Sequence, residues 1–225
     1  MKLVDITDDV NDAGEDSKAN CCELLVATGR QMRKWKQMLL IPLTVWSGLE
    51  QGFFGADFTA GFVTCAFGVD KVGYVIVTYG ICDSACSLGL SLLIKKFGRV
   101  PLFLMAAFIN LAVILVLRLW IPNPSEFYVL FVIAALWGIS DAIWQTQINT
   151  LYGVLFTGEE TTGGFSNYRL WESAGFILAY ILQSQVCIYT KLWVLIVMLF
   201  LGMIGYLMIE WGEAKKTNNN PRQQE

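Results

Sequence analysis

An all-α membrane protein with six transmembrane helices is what this sequence of 225 residues predicts. Three observations carry that reading. Hydrophobic residues make up 55% of the chain and charged residues only 16%, whereas soluble domains carry charge at about a quarter of their positions. The charges cluster in the first 36 residues, in a few short loops and in the last 14, leaving long stretches nearly free of them. Between those charged ends lie six apolar segments of roughly 20 residues, the length a helix needs to cross ~30 Å of hydrocarbon.

Taken in order, residues 1–20 are acidic and polar and read as disordered. Residues 21–36 suit a short amphipathic helix that ends in the basic run Arg30, Arg33, Lys34, Lys36. The spans are expected near 37–61, 71–94, 100–121, 127–151, 168–188 and 191–211. Residues 1–36 are thus a cytosolic polar segment, 37–211 a six-helix transmembrane domain and 212–225 a cytosolic tail. Gly158 through Ser166 read as a polar loop, with Ser166 or Asn167 capping the fifth helix.

Sidedness follows from the cations. If the first span runs outward, thirteen of the sixteen lysines and arginines fall on the inner side, leaving Lys71, Arg118 and Lys191 outside. Positive charge is retained in the cytoplasm, so both termini are expected to be cytosolic. The protein is then a multi-pass integral protein of the plasma membrane or an endomembrane, with the lipid bilayer as its first partner.

Several function classes drop out. A net charge of -3 offers nothing to nucleic acid, and there is no histidine. The six cysteines form no CxxC pair, so no zinc spacing exists. Cys82 and Cys86, four apart on a helix, read as packing. No Ser-His-Asp set and no phosphate-cradling loop is present, so neither an enzyme nor a cofactor is expected.

Polar residues inside the spans carry the remaining information. The first span contains Glu50, Gln51 and Asp57, and helical spacing places Trp46, Glu50, Phe54, Asp57 and Gly61 on one face. The second contains Asp83 in a stripe with Gly80, Ser84, Ser87 and Ser91. The fourth contains Asp141, Gln145, Gln147 and Asn149, flanked by Trp137 and Trp144. A carboxylate at the bilayer centre costs about 2.5–3.5 kcal/mol, so helices one, two and four are expected inside and helices three and six against lipid. Asp57, Asp83, Asp141, Glu50, Gln145 and Asn149 are the candidates for a cavity or coupling role.

Each candidate has a plainer reading beside it. Asp141 equally suits a hydrogen-bonded tie within the bundle, Asp83 a solvated wall, and Asp57 a charge near the outer interface. Arg169 and Glu172, three apart, read as a simple ion pair. The small-residue surfaces Gly80/Ser84/Ser87 and Gly202/Gly205 suit close helix seating, including that of a partner.

Carboxylates, amides and tryptophans in the first and fourth spans, with apolar third and sixth spans, resemble one half of a major-facilitator fold. There two three-helix units are related by an inverted repeat, and the first helix of each lines the cavity. The loop Lys95-Lys96-Phe97-Gly98-Arg99 resembles the basic glycine turn of that fold, without the acidic residue ahead of the first cation.

Longer runs resemble a specific family. Ser47-Gly48-Leu49-Glu50-Gln51-Gly52-Phe53, Asp141-Ala142-Ile143-Trp144-Gln145-Thr146-Gln147, Leu151-Tyr152-Gly153-Val154-Leu155-Phe156 and Asn167-Tyr168-Arg169-Leu170-Trp171-Glu172 are similar to the Unc-ninety-three family of ion-channel regulatory proteins, homologue A type. The resemblance covers most of residues 37–211 and matches only the C-terminal half of a twelve-span protein. It implies a non-enzymatic regulatory subunit or trafficking escort, with a potassium channel or membrane receptor as partner. It also implies a need for an N-terminal six-helix half, with residues 1–36 as the linker between halves. Glu50 stands where the family pattern leads one to expect an amide, which ranks it below Asp57, Asp83 and Asp141. A second reading remains open beside this one, half of a proton- or cation-coupled secondary transporter.

Overall fold

Glycines in the left-handed region punctuate the chain. Gly68 (φ 92°), Gly98 (φ 78°) and Gly158 (φ 64°) each stand between two helical elements, where a residue with a Cβ would be strained. The computed structural model describes residues 26, 28–123, 126–158 and 160–219, with backbone alone at 91–93, 95–97 and 216–219. The acidic residues expected to be disordered lie outside the described residues. Among the described residues, all regular structure is helical.

The described residues form six long helices. Helix α1 (Trp35–Gly52) contains Pro42 and runs without a break into a π-helical stretch, Phe53–Thr64, and a last turn, Cys65–Phe67. The widening has a visible cause in composition and hydrogen bonding. Gly52, Gly55 and Gly61 hold the α-form weakly, and the Thr64 hydroxyl donates to the carbonyl of Thr59, five residues back, at 2.8 Å. After a short turn come α2 (Val72–Phe97) and α3 (Arg99–Leu119), joined at Gly98. Pro101 sits in the first turn of α3, where its missing N–H has no helical partner to lose. Helices α4 (Tyr128–Leu155), α5 (Glu160–Gln185) and α6 (Ile188–Asn219) complete the bundle.

The packing is reciprocal. Helix α1 lies chiefly against α5 and α6, while α4 lies chiefly against α2 and α3. Helices α1 and α4 themselves touch sparingly. Glycines set the closest crossings: a Cβ on Gly48 would strike the Glu172 carbonyl, and one on Gly175 the Val45 carbonyl, so α1 and α5 meet backbone to backbone. Gly138 does the same for α4 against the Tyr79 carbonyl of α2. Large aromatic side chains fill the interior, with Trp46, Trp137, Trp144, Tyr152, Tyr168 and Tyr206 fully buried. One end of the bundle carries ion pairs, Lys34–Glu160 at 2.5 Å, Lys36–Glu213 at 3.0 Å and Arg99–Glu210 at 3.7 Å.

Among the described residues, four stretches are long and apolar enough to cross a membrane: Val69–Leu90, Arg99–Leu119, Tyr128–Leu155 and Ile188–Lys215. Helices α1 and α5 fall short of that measure because they hold the polar side chains described below.

Several sequence expectations change. The stretch 160–166 is helix rather than loop, so α5 begins at Glu160, and Asn167 lies inside it instead of capping it. Asn167 Nδ2 donates to the carbonyls of Thr28 (2.8 Å) and Gly163 (2.9 Å), which anchors this polar turn. Helix α6 continues to Asn219, through part of the expected tail. Helix α2 is not interior. It meets α4 along one stripe, and Tyr74, Val77, Ile81 and Leu88 are exposed. Gly202 and Gly205 face Leu43 and Leu39 of α1, so they seat a neighbour within the chain rather than a partner. Gly80 does face open space.

Candidate functional site

The polar side chains of α1 meet three different helices, at three levels of the bundle. Ser47 turns toward α5, Glu50 toward α4, and Asp57, in the π-helical stretch, toward α6.

At the first level, Glu172 of α5 is a hub. Its Oε1 accepts from Ser47 Oγ (3.3 Å), Gln145 Nε2 (3.0 Å) and Tyr168 Oη (3.1 Å), and its Oε2 from Arg169 Nη1 (2.6 Å). Tyr168 Oη also lies 2.8 Å from Gln145 Oε1, so its one hydrogen is shared between that oxygen and Glu172, and Gln145 Nε2 reaches Ser47 Oγ at 3.1 Å. Gln51 Nε2 donates to the Ser47 carbonyl at 3.1 Å. Three helices are thus tied through one carboxylate. Burial of Glu172 is supportable because all these donors converge on it.

At the second level, Glu50 is fully buried and Asp141 is 4% exposed. Trp137, which donates to Glu50, lies one helical turn before Asp141 on α4, so the two carboxyl groups are neighbours across the α1–α4 contact. Trp137 Nε1 donates to Glu50 Oε2 at 2.5 Å, and the Tyr79 hydroxyl of α2 donates to Asp141 Oδ2. Phe53 stacks on Trp137 at 5.7 Å and Phe54 on Tyr79 at 4.5 Å, walling the pair with rings. Asp83 stands near both acids, half-buried.

At the third level, Lys191 Nζ donates to Asp57 Oδ1, both side chains buried. They line a small cavity with Leu49, Phe53, Ala179, Leu182, Val194 and Leu195.

The sequence-derived candidates therefore separate. Glu50, Asp141 and Asp83 come together. Glu50, ranked last of the acids, sits at the centre of that group. Asp57 does not join them; it lies in the π-helical stretch, buried, with Lys191 as its partner. Gln145 belongs to the Glu172 hub. Asn149 donates to the Gln145 carbonyl one turn back at 2.7 Å. In the basic turn Gly98 makes the bend and Arg99 faces Glu210, while the Lys95 and Lys96 side chains lie outside the described residues. Cys86 faces the Ile139 carbonyl across the α2–α4 contact, in keeping with a packing role.

Sequence reasoning missed Ser47, Tyr79, Tyr168 and Lys191, and it read Glu172 only as the partner of Arg169. A signal existed for Glu172, since Tyr168 lies four residues before it on the same helical face. Lys191 was legible only as a cation opening an apolar segment. Among the described residues, no three His, Cys, Asp or Glu side chains are grouped to hold a metal ion.

Comparison with known proteins adds the family context. Residues 6–207 match the family described as ion channel regulatory protein UNC-93. Protein unc-93 homolog A of Xenopus laevis is 45% identical over 84% of this chain and 41% of its own length. The homolog A of Homo sapiens is 37% identical over 90% of this chain and 44% of its own. A Caenorhabditis elegans protein named unc-93, a candidate potassium channel regulatory protein, is 41% identical over 78% of this chain and 25% of its own. The chain thus spans less than half the length of these curated relatives.

Proposed function

The chain belongs to the UNC-93 family of ion channel regulatory proteins, and from that premise we propose that it acts as a non-enzymatic regulatory subunit of a potassium channel. The observation that carries the reading is how its polar groups are used. Ser47, Gln145, Tyr168 and Glu172 bind one another, and Asp57 binds Lys191, so the groups a carrier would present to a solute instead tie helices together. What remains open to a neighbour is the outward side of α2, where Ser84 interrupts an otherwise apolar exposed face. A helix face that mixes polar and small residues suits another helix better than it suits lipid.

All six helices are spans in this reading, α1 and α5 included, with both termini in the cytosol and the ion pairs of Lys34, Lys36 and Arg99 at the inner surface. The packing supports a major-facilitator-like half, because α1 stands to α5 and α6 as α4 stands to α2 and α3. A further six-helix half completes the protein, as the greater length of the relatives suggests.

Co-expression with a panel of potassium channels, followed by current recording and co-purification, tests the proposal. Ser84→Trp on α2 is expected to abolish association while Leu104→Trp on α3 leaves it intact. Unchanged currents and no co-purified channel across the panel would refute the regulatory reading.

A further inference from the structure

The other fully enclosed acids of the bundle have cationic partners: Asp57 has Lys191 and Glu172 has Arg169. Among the described residues, Glu50 and Asp141 form no ion pair. They have each other. Glu50 Oε1 and Asp141 Oδ1 are both buried and neither receives a hydrogen from a neighbouring donor. Trp137, the donor to Glu50, stands one turn before Asp141 on α4, so these two carboxyl groups are neighbours across the α1–α4 contact. An ionised carboxylate only accepts, and only a protonated one donates. Contact between two such groups therefore closes when one of them carries a hydrogen. Two negative charges at that separation, with no water or cation to screen them, would instead repel strongly.

We propose that Glu50 and Asp141 form a proton-binding site, a single proton shared between the two carboxyl groups that ties α1 to α4. A metal ion suits the place less well. The outer oxygens already accept from Trp137 and Tyr79, and a hard cation needs about six oxygen ligands. The charged and titratable groups beside the pair are Tyr79 and Asp83 from α2, with Glu172 of α5 at longer range. None of them is a cation. Side chains bridge α1 and α4 elsewhere, through Ser47 with Gln145 and Phe53 with Trp137, and the shared proton adds to these ties. Loss of the proton weakens the α1–α4 contact, which makes the packing of the bundle responsive to pH. This inference is independent of which partner the protein regulates.

Infrared spectroscopy of the purified chain in detergent at neutral pH reads the C=O stretch of protonated carboxyl groups, which shifts on exchange into D2O. The wild type is expected to show this band, and Glu50→Gln and Asp141→Asn are each expected to lose it, whereas Asp83→Asn keeps it. Both amide variants supply an N–H where the shared proton stood, so the bundle is expected to fold. A wild type without the band, or a band that survives either amide variant, overturns the proposal. In parallel, the wild-type melting temperature is measured against pH. It should fall as the band titrates away, and a band lost without any change in melting temperature would equally overturn the tie between helices.

Discussion

Lys191, at the start of α6, donates into the carboxylate of Asp57, which sits in the π-helical continuation of α1, and each residue is only 5% exposed. Two charges 134 residues apart neutralise each other inside an apolar cavity. Removing one partner of such a pair leaves the other buried and uncompensated, at a cost of about 3–5 kcal/mol. Lys191→Met should therefore lower thermal stability sharply in detergent. The double variant Lys191→Met, Asp57→Leu should recover most of the loss, because an apolar pair of similar size replaces the ion pair at little net cost. A double variant as unstable as the single one would show that the charges do more than cancel.

Gly48 and Gly175 permit α1 and α5 to cross with their backbones in contact. Gly48→Leu should cost at least ~3 kcal/mol, since the new side chain meets the Glu172 carbonyl rather than a movable side chain. Gly80→Leu, where nothing lies within 4 Å, should be tolerated. Fluorescence-detected gel filtration after heating would separate the two.

The Glu172 hub predicts unequal effects from its two charged members. Glu172→Ala removes the shared acceptor of Ser47, Gln145 and Tyr168, leaving Tyr168 on Gln145 and Gln145 on Ser47 but the Ser47 hydroxyl without its carboxylate, a loss of about 1–3 kcal/mol. Arg169→Ala should lose under ~1 kcal/mol, because the Arg169 side chain is 63% exposed and its pairing is screened. Chemical unfolding of the two variants side by side measures the difference.

Helices α1 and α5 should insert poorly on their own. Glu50 and Asp57 each carry an insertion cost of about 2.5–3.5 kcal/mol when unpartnered, and their partners come from α4 and α6. In a glycosylation-based insertion assay, isolated α3 and α6 should integrate and isolated α1 and α5 should not. Efficient integration of isolated α1 would show that its acids are not held by tertiary contacts.

Much of the candidate site was legible in the chain. Glu50, Asp141 and Asp83 stand out because a charge in an apolar stretch is a local anomaly, visible without knowing any neighbour. The grouping of those acids was not legible. Asp57 lies seven residues after Glu50, nearly two α-turns, which suggests one face and one site. The π-helical widening after Gly52 turns it toward α6 instead. The boundary of α5 was missed for a related reason: Thr161, Thr162, Gly163 and Gly164 have little helical preference, and contacts with Phe156, Thr28 and Lys34 hold them helical.

By itself the sequence determined a helical membrane protein and the positions of its acids within apolar stretches, because hydropathy and helix length are properties of contiguous residues. Only the tertiary structure decided that Lys191 answers Asp57, that Glu172 gathers three helices, that Glu50 and Asp141 face each other and that α2 is left bare. Those are contacts between residues far apart in the chain. Their choice depends on which helix faces which and at what rotation, a matter settled by glycine crossings and by one widened helix rather than by any local pattern.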